Sequence, residues 1–210
     1  MPLSDFYAWP EGAIYLPWDA WIVTWLIAAL WANRTVKRPE LSREILYRII
    51  TLVGFALVLV FFGQQSQDFR AGLHTHNPLA QRYWALPPDV GWVMVGVVAL
   101  SFVFAWWARI HLGRLWSGRV TRKEGHKIID TGPYAIVRHP IYTGIIVAGF
   151  ATAAEKGLPL AVAGAVLLYV GYWMKARLEE RFLREELGPE AYDAYRRRVP
   201  MLIPFGPRSF

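Results

Sequence analysis

The sequence predicts an all-α fold, namely a polytopic integral membrane protein with about five transmembrane helices, a short C-terminal helical hairpin and cytoplasmic C-terminal helices. Hydrophobic residues make up 55% of the 210 residues, charged residues only 19%, and the mean hydropathy is +0.25. Soluble domains average about 25% charged residues. Eleven tryptophans, many of them near the ends of apolar runs, suit the aromatic belts of a bilayer interface. We expect residues 1–210 to form one membrane domain, with the first three spans in residues 1–110.

Apolar runs predict where the helices cross the bilayer. A crossing takes about 20 residues, with a range of about 17 to 25. The second and third runs are long enough, and the first is long enough if Asp19 lies at its wet end. The last two are short and are expected to form a tight hairpin that turns at residues 155–157, although buried helices of a soluble domain are the alternative for that pair. The five runs are 18–32, 45–62, 90–110, 141–154 and 159–174.

Basic residues predict the orientation. All Lys and Arg residues except Arg70, Arg82 and Lys156 lie in segments 33–48, 109–139 and 175–210, which five spans place on one side. The positive-inside rule then predicts an N-terminus outside and a C-terminus in the cytoplasm. The net charge of +7 is explained by this topology and by contact with anionic lipid. We therefore expect the lipid bilayer and not nucleic acid as a partner.

Two further absences limit the chemistry and the processing of the chain. Cysteine is absent, which excludes disulfides, thiol nucleophiles and cysteine metal sites. No basic stretch precedes the first apolar run, so we expect no cleaved signal peptide and keep that run as a membrane helix.

Residues 126–144, HKIIDTGPYAIVRHPIYTG, form the first segment that carries chemistry. A Gly-Pro turn is expected before the chain re-enters the membrane, and Pro140 is expected in the first turn of the next helix. The exposed backbone N–H groups of that helix start can bind a carboxylate or phosphate, and Arg138 can reinforce this. Interfacial anchoring is the simpler interpretation of an Arg or Tyr here. The candidate side chains are Tyr134, Arg138, His139 and Tyr142.

Residues 175–204, KARLEERFLREELGPEAYDAYRRRVPMLIP, form the second segment. Gly188 and Pro189 are expected to end one helix and begin another. One interpretation of the acidic pair is a solvated helix, in which Glu180 pairs with Arg184 and Arg181 with Glu185. The other is that one glutamate turns inward to bind a ligand, with Lys175 on the same helical face as Glu179.

The two segments together resemble the isoprenylcysteine carboxyl methyltransferase family, which belongs to a wider group of membrane methyltransferases that includes phospholipid N-methyltransferases. The resemblance rests on GPYAIVRHPIYTG followed by EERFLREELGPEAYDAYRRRVPMLIPF and covers about residues 111–205. It implies that residues 111–210 are a cofactor-binding methyltransferase half. It also implies S-adenosylmethionine as cofactor and a lipophilic acceptor that enters from the bilayer.

The resemblance also implies roles for individual residues. His139, Tyr142 and Arg138 are the candidate catalytic residues, and His139 could accept a proton from an amine or thiol acceptor. Lys175, Arg177 and Glu180 are the candidate substrate-binding residues, although the family usually has Arg where this chain has Lys175. The candidate cofactor site comprises His126, Lys127, Ile128, Ile129, Tyr134, His139, Pro140, Ile141, Tyr142 and Glu179.

Three other functions remain open at this point. Membrane sterol reductases, which use NADPH, have a similar C-terminal half. A non-enzymatic membrane scaffold is a second alternative. A metal site at His74 and His76 is weaker, because only Asp68 lies nearby as a further ligand, and no metal is expected. The acceptor could be a prenylated cysteine carboxylate, a phospholipid amine, or a small lipophilic thiol or alcohol.

Overall fold

Helices account for nearly all regular structure in the described residues of the computed structural model, which are 7–31, 35–37, 41–60, 81–113, 116, 122–123 and 128–208. The helices are α1 (Pro10–Ala13), α2 (Tyr15–Ala28), α3 (Leu41–Phe55), α4 (Pro88–Leu112), α5 (Pro140–Lys156), α6 (Pro159–Leu187) and α7 (Pro189–Arg198). Short 3₁₀ segments cover Ala29–Trp31 and Gly132–Ala135, and a π-helical segment, Ala56–Val60, extends α3. The strands β1 (Thr35–Lys37) and β2 (Arg122–Lys123) form one antiparallel pair. The predicted all-α fold is thus confirmed for the described residues, apart from this pair.

Proline begins five of the described helices, α1, α4, α5, α6 and α7. Proline suits the first helical turn because its missing N–H would have no helical partner there. The prediction that Pro140 begins a helix is therefore confirmed. The boundary at Gly188 and Pro189 is confirmed as well.

Two of the described helices are long and apolar enough to cross a membrane, over Pro88–Leu112 and Pro159–Glu186. Their outer faces carry exposed side chains such as Leu100, which is 70% exposed, and Ile110. Such continuous apolar surface is typical of a face that contacts lipid. The helices α2, α3 and α5 have 14, 15 and 17 residues. The chain has the helical architecture of a membrane protein, and the number of five spans stays a prediction.

The C-terminal hairpin is confirmed, and its second arm is longer than the apolar run indicates. Helix α5 ends at Lys156, and Gly157 makes the turn in the left-handed region at a φ of 64°. A side chain at Gly157 would collide with the carbonyl oxygen of Trp84. Helix α6 then continues without a break through Met174 to Leu187. Both glutamates of the acidic pair therefore belong to the same helix as the second hairpin arm.

Small residues allow the helices to pack closely against one another. The backbone of α3 approaches that of α6 at Gly54 and Gly164, where a Cβ on Gly164 would lie 2.9 Å from the carbonyl oxygen of Gly54. Helix α4 approaches α5 at Gly144, where a Cβ would lie 2.6 Å from the carbonyl oxygen of Ser101. Such close contacts between helices are typical of membrane proteins.

Long-range contacts define two opposite ends of the molecule. At the hairpin end (residues 9–15, 81–91 and 154–158), Tyr83 N–H donates to the carbonyl oxygen of Gly157 over 2.9 Å. At the motif end (residues 128–143 and 175–202), the hydroxyl of Tyr195 donates to the carbonyl oxygen of Tyr134 over 2.8 Å. The two segments singled out in the sequence thus meet at the motif end. Residues His74 and His76 lie outside the described residues.

Candidate functional site

The start of α5 is held by the chain that follows α7. The backbone N–H of Arg138 donates to the carbonyl oxygen of Pro200 over 2.8 Å, and that of His139 donates to Met201 over 3.1 Å. The hydroxyl of Thr143 donates to the carbonyl oxygen of Leu202 over 2.6 Å. These contacts fix the Arg-His-Pro sequence against the chain that follows α7.

Arg138 and Glu180 form a buried ion pair. The side chain of Arg138 is 0% exposed, its Nε lies 2.7 Å from Glu180 Oε1, and its Nη2 lies 3.3 Å from Oε2. Its Nη1 donates to the carbonyl oxygens of Arg196 and Val199. Because the guanidinium already has these partners inside the protein, its geometry favours a positioning role over contact with substrate.

Of the two interpretations of the acidic pair, the one in which Glu180 pairs with Arg184 on a solvated helix is wrong. Glu180 turns inward to Arg138 and His139 and also lies 3.4 Å from Arg196 Nε. Arg184 instead pairs with Asp193 at 2.8 Å. The inward pairing wins because Arg138 is buried, and a buried cation without a carboxylate partner would be costly.

His139, Tyr142 and Glu179 form a second cluster beside that ion pair. The rings of His139 and Tyr142 are parallel, with centroids 5.2 Å apart, and the Tyr142 hydroxyl donates to Glu179 Oε2 over 2.7 Å. His139 Nε2 lies 3.1 Å from Glu180 Oε1, whereas its Nδ1 lies 3.8 Å from Glu179 Oε2. The side chain of Glu179 remains 27% exposed. Glu180 therefore acts inside the protein, while Glu179 can reach a ligand.

Lys175 completes this cluster one helical turn before Glu179. Its Nζ lies 4.8 Å from the centroid of the Tyr142 ring and 6.0 Å from that of Tyr172. The rings of Tyr142 and Tyr172 are 5.0 Å apart. The cluster thus combines a cation, a carboxylate and three stacked or tilted rings.

Tyr134 is buried at the motif end, on the other side from the cluster of Tyr142 and Glu179. Its carbonyl accepts from Tyr195, and its ring stacks with His111 at 6.3 Å. The imidazole of His111 lies 2.8 Å from the hydroxyl of Thr131. Burial raises the pKa of the Tyr134 hydroxyl above its ordinary value, so that phenol stays protonated.

The remaining predicted residues fall into three groups. Ile128 and Ile129 are half-buried at the motif end, and Pro140 and Ile141 are buried in the first turn of α5. Arg177 is exposed and lies over Trp173, away from the cluster of Tyr142 and Glu179. His126 and Lys127 lie outside the described residues.

Sequence reasoning missed Tyr172 and Tyr47. Tyr172 precedes Lys175 by three residues, and helical periodicity, which places both on one face, was the signal that could have revealed it. Tyr47, on α3, is buried and lies within electrostatic range of Glu179. No pattern in the sequence connected α3 with α6, because the glycine contacts that join them are set by the tertiary fold.

Comparison with known proteins identifies proteins that are similar in sequence to this chain. The sequence profile of the isoprenylcysteine carboxyl methyltransferase (ICMT) family matches residues 92–186. Protein-S-isoprenylcysteine O-methyltransferase B of Arabidopsis thaliana is 33% identical over 88 residues, covering 41% of this chain and 44% of that protein. Methanethiol S-methyltransferase 2 of Bradyrhizobium diazoefficiens is 31% identical over 138 residues, covering 61% and 52%. A probable protein-S-isoprenylcysteine O-methyltransferase of Oryza sativa subsp. indica is 30% identical over 131 residues, covering 61% and 66%.

The matched part of this chain thus spans about half to two thirds of the length of these relatives. The matched region contains most of α4, all of α5, all but the last residue of α6, and the ion pair and cluster described above. Over residues 92–186, the chain is thus similar to the isoprenylcysteine carboxyl methyltransferase family.

Proposed function

We propose that this protein transfers a methyl group from S-adenosylmethionine to a lipophilic acceptor at the cytoplasmic face of a membrane. The observation that carries the proposal is the cluster in which Tyr142 donates to a partly exposed Glu179 beside the ring of His139. The cluster lies at the start of the apolar helix α5 and just after the apolar part of α6. It therefore borders both the aqueous phase and the surface that contacts lipid.

The residues present suit the proposed cofactor. Glu179 has one hydrogen bond from Tyr142 and enough exposure to accept others from an ammonium or hydroxyl group. The ring faces of Tyr142 and Tyr172 can contact a cationic centre such as a sulfonium. We propose that His126, Lys127, Ile128, Ile129, Tyr134, His139, Pro140, Ile141, Tyr142 and Glu179 line this site.

When bound, S-adenosylmethionine supplies a methyl group that is already activated for displacement. The protein then has to align the acceptor with that methyl group and exclude water. His139 is oriented for this task because Glu180 holds its Nε2. The Nδ1 atom faces Glu179, where it can accept or hold a proton from a thiol or amine acceptor.

The acceptor is proposed to be lipophilic or lipidated. Two of the relatives above are named for isoprenylcysteine O-methylation and one for methanethiol S-methylation, so the acceptor atom differs within the group. Of the three candidates from the sequence, Lys175 would face the acceptor, because Glu180 is bound inside the protein and Arg177 lies over Trp173. Lys175 provides a single charge rather than the two-pronged contact that Arg makes with a carboxylate.

Isothermal titration with S-adenosylhomocysteine, the demethylated cofactor, tests this function. The purified protein in a mild detergent should bind it, and Glu179→Gln should weaken binding about tenfold, since one charged hydrogen bond contributes roughly 1.5–3 kcal/mol. Glu185→Gln is the matched control, because Glu185 is an exposed glutamate of the same helix. Saturable binding of NADPH without binding of S-adenosylhomocysteine would replace the proposal with a reductase.

A further inference from the structure

Arg48 lies on α3, inside the second apolar run of the sequence. Its side chain is 28% exposed, and its Nη2 donates to Oε2 of Glu44, a buried carboxylate one helical turn earlier. A charged residue inside an apolar segment is costly and commonly marks a site that binds a charged group. Helix α3 precedes the matched residues 92–186, so the family match assigns no role to Arg48.

The packing of α3 against α6 brings the first turns of α3 to the motif end. A Cβ on Gly171 would lie 3.3 Å from the Cα of Thr51, so these two residues face each other across the helix contact. The helices run in opposite directions, and residues four apart lie on one helical face. One turn closer to the motif end, Tyr47 therefore faces Lys175, and Arg48 follows Tyr47 directly in the chain.

Charged groups of the two helices act on each other across this contact. Lys175 interacts electrostatically with both Glu44 and Arg48. Tyr47, between these two residues of α3, interacts in the same way with Glu179. Two cations on facing helices repel each other, and an anion that contacts both is attracted by both charges. The start of α3 thus adds a second cation to the cluster of Tyr142 and Glu179.

The guanidinium of Arg48 is held in place and still has donors for a ligand. An arginine side chain has five N–H donors in a planar fork. Glu44 accepts from one of them, and the Tyr47 hydroxyl accepts from the guanidinium as well. The other N–H groups belong to a side chain that is 28% exposed, so a ligand can reach it. A cation that is already oriented loses less conformational entropy when it binds an anion.

We propose that Arg48 is a specificity-determining residue, which binds an anionic head group on the acceptor together with Lys175. The inference rests on the proposed methyl transfer. The fork suits a carboxylate, with which it can make two parallel hydrogen bonds. A carboxylate oxygen forms the new bond to the methyl carbon while the bond from that carbon to the sulfonium sulfur breaks, so both charges are cancelled and no proton has to leave. A cationic ammonium would be repelled by the two cations.

Binding of three probes with the same twelve-carbon tail tests the proposal. The probes are dodecanoate, dodecanamide and dodecylamine, measured at pH 8 on the full chain in a non-ionic detergent with saturating S-adenosylhomocysteine. We expect dodecanoate to bind about tenfold more tightly than the other two, because its hydrogen bonds are charge-assisted. Equal binding of the three, preference for dodecylamine, or no saturable binding of dodecanoate would overturn the role of Arg48. Loss of S-adenosylhomocysteine binding itself would instead overturn the proposed function.

Two variants connect the preference to Arg48. The double variant Glu44→Gln and Arg48→Gln removes both charges together and leaves no buried carboxylate without its partner. It should bind dodecanoate about tenfold more weakly and change dodecanamide binding by less than about twofold. Arg48→Lys keeps the charge without the fork and should give an intermediate loss.

Arg181→Gln is the matched control, because Arg181 is an exposed arginine of α6. It should keep the full preference for dodecanoate. Thermal unfolding and retained binding of S-adenosylhomocysteine check that each variant is folded. An unchanged preference for dodecanoate in either folded variant at position 48 would contradict the assignment, as would an equal loss for all three probes.

Discussion

Two neighbouring glutamates on α6 have different environments. Glu180 pairs with the buried Arg138, whereas Glu179 accepts one hydrogen bond from Tyr142 and is partly exposed. We therefore expect Glu180→Gln to lower the free energy of unfolding by about 3–5 kcal/mol, because it leaves a buried cation without its partner. Glu179→Gln should lower it by about 1 kcal/mol or less.

Thermal unfolding in detergent and titration with S-adenosylhomocysteine separate the two roles. Glu180→Gln should mainly change the unfolding temperature, and Glu179→Gln should mainly change the affinity. If the two variants lost stability equally, the structural assignment of Glu180 would be wrong.

Tyr195 provides a prediction for alkaline pH. Its buried hydroxyl donates to the carbonyl of Tyr134, and burial raises its pKa above the ordinary value of 10.0. The raised pKa favours the folded protein below about pH 10, and this contribution is lost as the pH rises through that value and above. Tyr195→Phe should therefore cost about 1 kcal/mol at neutral pH and reduce the loss of stability above pH 10.

Denaturation curves between pH 7 and pH 11 measure this effect. Tyr83→Phe is the control, since Tyr83 is exposed at the opposite end of the molecule. A Tyr195→Phe variant with the same alkaline slope as the unmodified protein would contradict the proposed role of this hydroxyl.

Residue types were easier to predict from sequence than residue partners. Tyr134, His139 and Glu179 were singled out because of their motifs, and the structure places all three at the motif end. The partner of Arg138, in contrast, lies 42 residues away on another helix. Local spacing suggested Arg184 for Glu180, because the i,i+4 rule describes an isolated helix and does not include a buried cation from the segment before α5.

At the scale of elements, glycines let α3 and α6 pack closely against each other. The helices run in opposite directions, since Gly54 meets Gly164 and Thr51 meets Gly171. Gly164→Ala would place a Cβ 2.8 Å from Leu57 Cβ and should destabilise the protein by about 1–3 kcal/mol. Gly96→Ala is the matched control, since a Cβ there meets nothing within 4 Å.

The two glycine variants can be compared by thermal unfolding in the same detergent. We expect a lower unfolding temperature only for Gly164→Ala, together with weaker turnover if the acceptor contacts α3. Equal unfolding temperatures would show that the helices can separate without cost.

Helix boundaries at proline and glycine were predictable, whereas the continuation of α6 past Met174 was not evident from hydropathy. The prolines and Gly188 mark boundaries by local backbone chemistry, which acts regardless of the fold. The end of α6 could not be read from hydropathy, because the helix continues after the apolar run stops at Met174. Its polar part pairs with Arg138, just before α5, through Glu180 and with Asp193 of α7 through Arg184.

At the scale of the whole molecule, the charge distribution predicts the orientation in the membrane. The chain has no cysteine, so a single cysteine can be introduced without changing any other residue. Ala85→Cys at the hairpin end should react with a membrane-impermeant maleimide in intact cells. Glu190→Cys at the motif end should react only after the membrane is opened, and the reverse pattern would invert the proposed topology.

The length of α6 sets the depth at which Glu179 would lie in a membrane. Its 29 residues extend about 44 Å, whereas the hydrocarbon core is about 30 Å thick. If Pro159 lies near one boundary of the hydrocarbon, the opposite boundary falls close to Glu179. An acceptor atom held at headgroup level would then be within reach, however long the tail attached to it, whereas the same atom at the bilayer midplane would lie more than two helical turns away.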